Sequence, residues 1–114
     1  MKEYASKEKI LASISVPTED VEIADGVWVR MRGLTAKEAL DFYSKFMDAK
    51  TGEIKDLPAY SLEMVSKCLV DEHGKSLYTA EEVGEFSTTI LNQLLEVAGR
   101  LSGNKLEVAV KGKN

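Results

Sequence analysis

Two T-x-x-E tetrads, Thr35-Ala36-Lys37-Glu38 and Thr79-Ala80-Glu81-Glu82, mark where two helices of this chain must begin. In each, the threonine hydroxyl accepts from the N–H three residues on, and the glutamate reaches back to the threonine's own N–H. Two donors that a helix start leaves free are thereby satisfied at once. Leu34 and Ala39 occupy the staple positions of the first box, Tyr78 and Val83 those of the second. Downstream of the first box, Ala39, Tyr43 and Phe46 with Ala36, Leu40 and Met47 predict a broad apolar stripe. Gly84 leaves room for only a brief helix after the second box. Ser87 then caps another helix, in which Leu91, Leu94, Leu95, Ala98 and Leu101 recur at helical spacing until Gly103-Asn104 ends it.

Two further helices follow from punctuation. Pro58 suits a first helical position, because its missing N–H has no intrahelical partner to lose. The segment after it carries Leu62, Val65 and Leu69 on one line and Tyr60, Met64 and Cys68 on the next, so it is expected at the centre of the fold. Residues 5–14 predict a short helix with Ile10, Leu11 and Ile14 at helical spacing, stopped by Pro17.

Between these lies one β-hairpin. Val21 to Ala24 and Val27 to Arg32 are β-rich and flank Asp25-Gly26, a pair suited to a type I′ turn. A two-residue loop places Ile23 opposite Trp28 and Glu22 opposite Val29. Both faces then carry apolar groups: Val21, Ile23 and Trp28 on one, Val27, Val29 and Met31 on the other. Such a hairpin is either sandwiched in the fold or used at an interface. The expected fold is mainly α (α+β), four to five helices with a small N-terminal hairpin. Residues 1–104 form a single helical domain including the hairpin at about 20–32, and residues 105–114 form a partly flexible tail.

Composition narrows the function classes. A chain of 114 residues holds one real core. With 44% apolar and 30% charged residues it has an ordinary globular balance. The net charge of −4, from 19 acidic and 15 basic residues, speaks against nucleic acid as the main partner. Lys105, Lys111 and Lys113 read as a solvated tail. Cys68 is the only cysteine, which excludes an internal disulfide and suits a reducing compartment. The N-terminus Met1-Lys2-Glu3-Tyr4 has no signal-peptide pattern, and no apolar run approaches the roughly 18 residues of a membrane span.

The residues that could carry chemistry are few. His73 is the sole histidine, set between Glu72 and Gly74 in a turn, and reads as a solvated side chain. Cys68 lies on the apolar side of its helix, where a thiol is inert rather than nucleophilic. Calcium loops are excluded: counting from Asp48 or from Asp71, the third position of the loop, which must supply an oxygen ligand, falls on Lys50 or His73. No phosphate-cradling glycine motif occurs. No catalytic residue, cofactor or metal site is expected. Trp28, flanked by Arg30 and Arg32 on its strand face, could stack on a base, but one tryptophan on a hairpin points rather to core or to a protein interface. With Leu106, Val108 and Val110, whose alternation suits a docking strand or a strand packed back on the hairpin, Trp28 forms the expected partner interface.

The run Leu69-Val70-Asp71-Glu72-His73-Gly74-Lys75-Ser76-Leu77-Tyr78-Thr79, followed by Glu81-Glu82-Val83, resembles a segment of the tail assembly chaperones of long-tailed bacteriophages. There a helix ends in an acidic residue-glycine turn, an aromatic-Thr pair follows, and a short acidic helix leads into a Leu-rich last helix. The Arg32-Gly33-Leu34-Thr35 lead-in to an amphipathic helix is also similar to that family, and the likeness spans about residues 27–104. The resemblance implies a non-catalytic viral or prophage protein of the host cytoplasm, a homo-oligomer that coats the tape measure protein and delivers it to the tail tube protein. It also implies a longer frameshifted form, for which Gly112-Lys113-Asn114 can be encoded as the slippery GGA AAA AAC. Another phage structural component, such as a head-tail completion or neck protein, and a small protein-interaction domain are the alternatives.

Overall fold

The computed structural model describes residues 3–13 and 15–103. Five helices and three short strands follow in the order α1 (Lys7–Ser13), β1 (Thr18–Ala24), β2 (Val27–Arg32), α2 (Ala36–Phe46), α3 (Leu57–Cys68), β3 (Leu69–Val70), α4 (Ala80–Val83) and α5 (Thr88–Leu101). The fold is α+β, with the strands joined in one antiparallel sheet of order β1-β2-β3. Ile14 and the tail residues Leu106, Val108 and Val110 lie outside the described residues.

Both capping boxes form. Thr35 and Thr79 each accept from the glutamate N–H three residues on, and Glu38 and Glu82 each accept from the threonine N–H. Ser87 accepts from the Ile90 N–H at the start of α5. Gly103 takes φ 67° after its C-cap, where a side chain would be strained. Helix α3 starts one residue earlier than Pro58 predicts: Asp56 caps it, and Pro58 takes its second position, where a missing N–H is equally harmless.

Several expectations are corrected. The hairpin register differs by one residue: Val21 faces Val29 and Glu22 faces Trp28, with Ile23 as the extra residue of a bulge before Ala24 pairs Val27. Only Gly26 takes a positive φ, so the turn is not type I′. The shift sorts the two faces. Val21, Val29 and Met31 turn toward the core, whereas Asp20, Glu22, Trp28 and Arg30 share the outer face. The outer face is therefore mainly charged, with Trp28 its one large apolar side chain. Leu69, expected in α3, instead opens β3 opposite Met31, because pairing with β2 satisfies its backbone within the core. On α2 the buried face is centred on Phe42 and Phe46, and Leu40 points to solvent.

The core has two ends joined by α3. At one end, Phe42 packs on Phe46 and Tyr60 with ring centroids 5.0 and 4.9 Å apart, binding α2 to α3. At its middle, Met31, Met64, Val65, Cys68, Leu94 and Ala98 are shut off from solvent between sheet, α3 and α5. The strand-to-helix connector is fastened to the last turn of α5. Leu34 N–H donates to the Ser102 hydroxyl at 2.9 Å, and Gly33 lies so close to the Leu101 carbonyl that a Cβ there would collide with it. Arg32 forks onto both Glu38 oxygens at 2.7 and 2.8 Å, so the same glutamate closes the capping box and holds the end of β2. Among the described residues, no helix is long and apolar enough to cross a membrane.

Candidate functional site

The opposite end of the core is left open. Its first wall is the tip half of the hairpin, where Ile23 and Val29 lie on the core side of the strands. Its second is the first turns of α5, carrying Ile90 and Leu94. The third comes from the segment after α3, and its placement depends on a chain of backbone contacts. Asp71 Oδ1 accepts from the His73 and Lys75 N–H groups at 2.7 and 3.0 Å and tightens the turn, which Gly74 completes at φ 83°. The donation from Lys75, then that from His73, holds the Asp71 carboxyl below its ordinary range. The chain returns antiparallel, with Leu77 N–H donating to Leu69 O at 3.1 Å and the Ser66 hydroxyl donating to Tyr78 O at 2.7 Å. Tyr78 is thereby fixed beside Leu69. Helix α4 has a single turn, too short to carry the chain away, so Phe86 comes back edge-on to Tyr78 at 5.4 Å.

These three walls enclose a half-open groove of about 240 Å³. Its lining is hydrocarbon apart from the phenol of Tyr78 and Ser87, whose hydroxyl is spent on the α5 cap. No buried side-chain N or O among the described residues lacks a hydrogen-bond partner, so no unmatched polar group is aimed into it. The groove therefore suits hydrocarbon. It is also smaller than the about 300–1,000 Å³ usual for small-molecule sites. Its size and rim suit one or two apolar side chains presented by a helix.

The residues singled out from sequence fall elsewhere. Trp28 is 62% exposed on the outer hairpin face beside the Asp20–Arg30 ion pair, and it does not line the groove. Leu106, Val108 and Val110 lie outside the described residues. Cys68 is fully buried, and burial pushes its thiol up to about 11 against the hydrogen bond from Ser102, so it is not a poised nucleophile. His73 is exposed, 3.6 Å from Glu72. No set of three His, Cys, Asp or Glu side chains among the described residues is placed to hold a metal ion. Ile23, Tyr78, Phe86 and Ile90 were not singled out as site residues. The available signal was Tyr78 and Phe86 bracketing a helix too short to bury both rings. Comparison with protein-family models, with curated proteins and with solved structures finds no match for the chain.

Proposed function

We propose that this chain is a non-catalytic tail assembly chaperone of a phage or prophage, binding a long helical tape measure protein through the groove between the hairpin tip and α5. The observation that carries the reading is the groove itself: apolar on every wall, half open, and shaped for side chains. A long amphipathic helix without partners aggregates through its exposed stripe, and small domains that each cover a few of its apolar residues keep it in solution. Residues 69–79, on which the resemblance rests, supply one wall of the groove through Leu69 and Tyr78. Handover to the tail tube protein, assembly from several copies and action in the host cytoplasm belong to the same reading.

The reading expects a long helical reading frame beside this gene; its product is co-expressed with the chain, the soluble fraction of that product is measured, and a locus without such a frame also counts against the proposal. Wild-type chain keeps the partner in solution. Ile90→Asp, which places a carboxylate in the groove, loses that effect, whereas Trp28→Ser on the outer face retains it. A partner equally soluble with and without the chain sinks the proposal. Loss with Trp28→Ser but not with Ile90→Asp moves the binding site to the outer hairpin face.

A further inference from the structure

The three walls of the groove are held in place by different forces. Ile23 and Val29 belong to a paired hairpin whose Val21 and Met31 are buried, and α5 is pinned by buried Leu94, Val97 and Ala98. The third wall is different. Asp71 is half-buried, every residue from Glu72 to Thr79 is exposed, and Leu77 and Tyr78 stand 47% and 40% open to solvent. Apolar burial therefore does little to fix Tyr78. Hydrogen bonds do the fixing. Asp71 N–H donates to Lys75 O at 2.8 Å and Gly74 N–H to Asp71 O at 3.0 Å, and Asp71 Oδ1 closes the same turn from inside by accepting from His73 and Lys75. At the far end of the segment the Ser66 hydroxyl, on α3, donates to Tyr78 O at 2.7 Å. Arg30 reaches the Glu72 carbonyl only at 3.5 Å, the limit of a hydrogen bond, and spends its shorter contact of 3.1 Å on Asp20. Two side chains thus carry the placement: Asp71 sets where the chain turns back, and Ser66 sets where Tyr78 stops. Neither lines the groove.

We propose that Asp71 and Ser66 are positioning residues that set the width of the groove, and through it the retention of a helical partner, while adding little to the stability of the fold. The separation of the two effects follows from exposure. Without the Asp71 carboxylate, the His73 and Lys75 N–H groups turn to water, at small cost because both residues are already in solvent. The turn then loses its inner acceptor, and Tyr78 loses its register against Leu69. Phe86 meets Tyr78 edge-on at 5.4 Å, so both aromatic rings of the groove shift together. The buried core on the other side of Leu69 is untouched. The claim about groove shape stands by itself; the claim about retention rests on the chaperone reading.

Two readouts on the full chain test it. The first needs no partner: NMR shifts of the Ile23, Val29, Ile90 and Leu94 methyls, which sense the Tyr78 and Phe86 rings, with the buried methyls of Met31 and Ala98 as reference. Asp71→Ala and Ser66→Ala each move the groove methyls, leave the reference methyls in place and keep the urea midpoint near that of wild type. Asp71→Asn, whose side-chain oxygen accepts from the same N–H groups, restores the wild-type shifts. The second readout is the amount of chain needed to keep the long helical partner soluble. It rises about tenfold for either alanine variant, and Asp71→Asn recovers most of the loss. Groove methyls unmoved in both alanine variants overturn the proposal. So does an Asp71→Asn chain as damaged as Asp71→Ala, which ties the effect to charge instead of the turn. Reference methyls that move with the groove, alongside a fallen urea midpoint, make both residues part of the fold's stability and overturn it too. Unchanged retention in chains whose groove methyls have moved breaks the link from width to binding. A wild type that retains no partner sinks the chaperone reading alone, and the methyl shifts still decide whether Asp71 and Ser66 shape the groove.

Discussion

The two ends of α5 live in different surroundings. Its C-terminal half, Val97, Ala98 and Gly99, is buried beneath the connector, with Gly33 against Leu101 and the Ser102 hydroxyl bound to Leu34. Its first turns carry Ile90 and Leu91, both half-exposed, beside a groove. Both ends are apolar by sequence. The difference lies in what arrives to cover them: a strand-to-helix connector fastened by hydrogen bonds and an ion pair at one end, and a bulged hairpin tip and a one-turn helix at the other. Apolar sequence alone does not make core. A neighbour that can approach closely does, and this fold supplies such a neighbour at one end only.

The comparison breaks most readily at the closed end. Phe42→Ala removes the ring that touches both Phe46 and Tyr60 in a site 2% exposed, and should cost about 4 kcal/mol in urea unfolding. Gly33→Ala comes next, at about 3 kcal/mol, because the new methyl meets the Leu101 backbone, which cannot yield as a flexible side chain would. A Gly33→Ala chain within about 1 kcal/mol of wild type would show that the connector and α5 can part without loss, and the contrast between the ends would fail.

What could be read in advance follows the same division. The capping boxes, the Ser87 cap and the brief α4 depend on residues within four positions of one another, and they form as the local chemistry demands. The hairpin exists where Asp25-Gly26 places it, yet its register was not legible, because a bulge at Ile23 is chosen by which face α5 must cover. Strand β3 was invisible for a related reason: Leu69 and Val70 continue a helical apolar pattern, and only pairing with Arg30 and Met31, far away in sequence, turns them into strand. Phe42 was missed on α2 because Leu40 fits the stripe equally well; the ring of Tyr60 on α3 decides between them. The groove was hardest of all. Ile23, Val29, Leu69, Tyr78, Phe86 and Ile90 come from separate segments, and no local spacing joins them.

Phe86→Ala sharpens the contrast from the open side. The ring is partly exposed and its main neighbour is the edge of Tyr78, so truncation should cost about 1.5 kcal/mol, well under half the Phe42→Ala loss. The same substitution enlarges the groove and should weaken retention of a helical partner far more than it weakens the fold. Equal losses for Phe42→Ala and Phe86→Ala would mean that the open end is core after all.

The smallest effect belongs to the ion pair that closes the other end, and pH isolates it. Glu38 is held at about 2 against an ordinary 4.5, first by the Arg32 fork, opposed by burial, and then by the Thr35 N–H. Its folded-state value is depressed. The stability it provides is therefore complete above about 4.5 and lost as pH falls through the folded value near 2. The carboxylate is about a third exposed, so solvent screening limits the contribution to about 1 kcal/mol. Glu38→Gln keeps an oxygen for the Thr35 N–H and removes the charge together with one of the two acceptors of the Arg32 fork. Urea unfolding at neutral pH should place the variant about 1 kcal/mol below wild type. The gap should narrow as pH falls from about 4.5 toward 2, where the wild-type carboxyl is itself protonated. A gap that persists unchanged through this window would assign the loss to geometry rather than charge. The Arg32 fork would then act through its hydrogen-bond geometry rather than its charge, beside the Gly33–Leu101 approach and the Ser102 hydrogen bond.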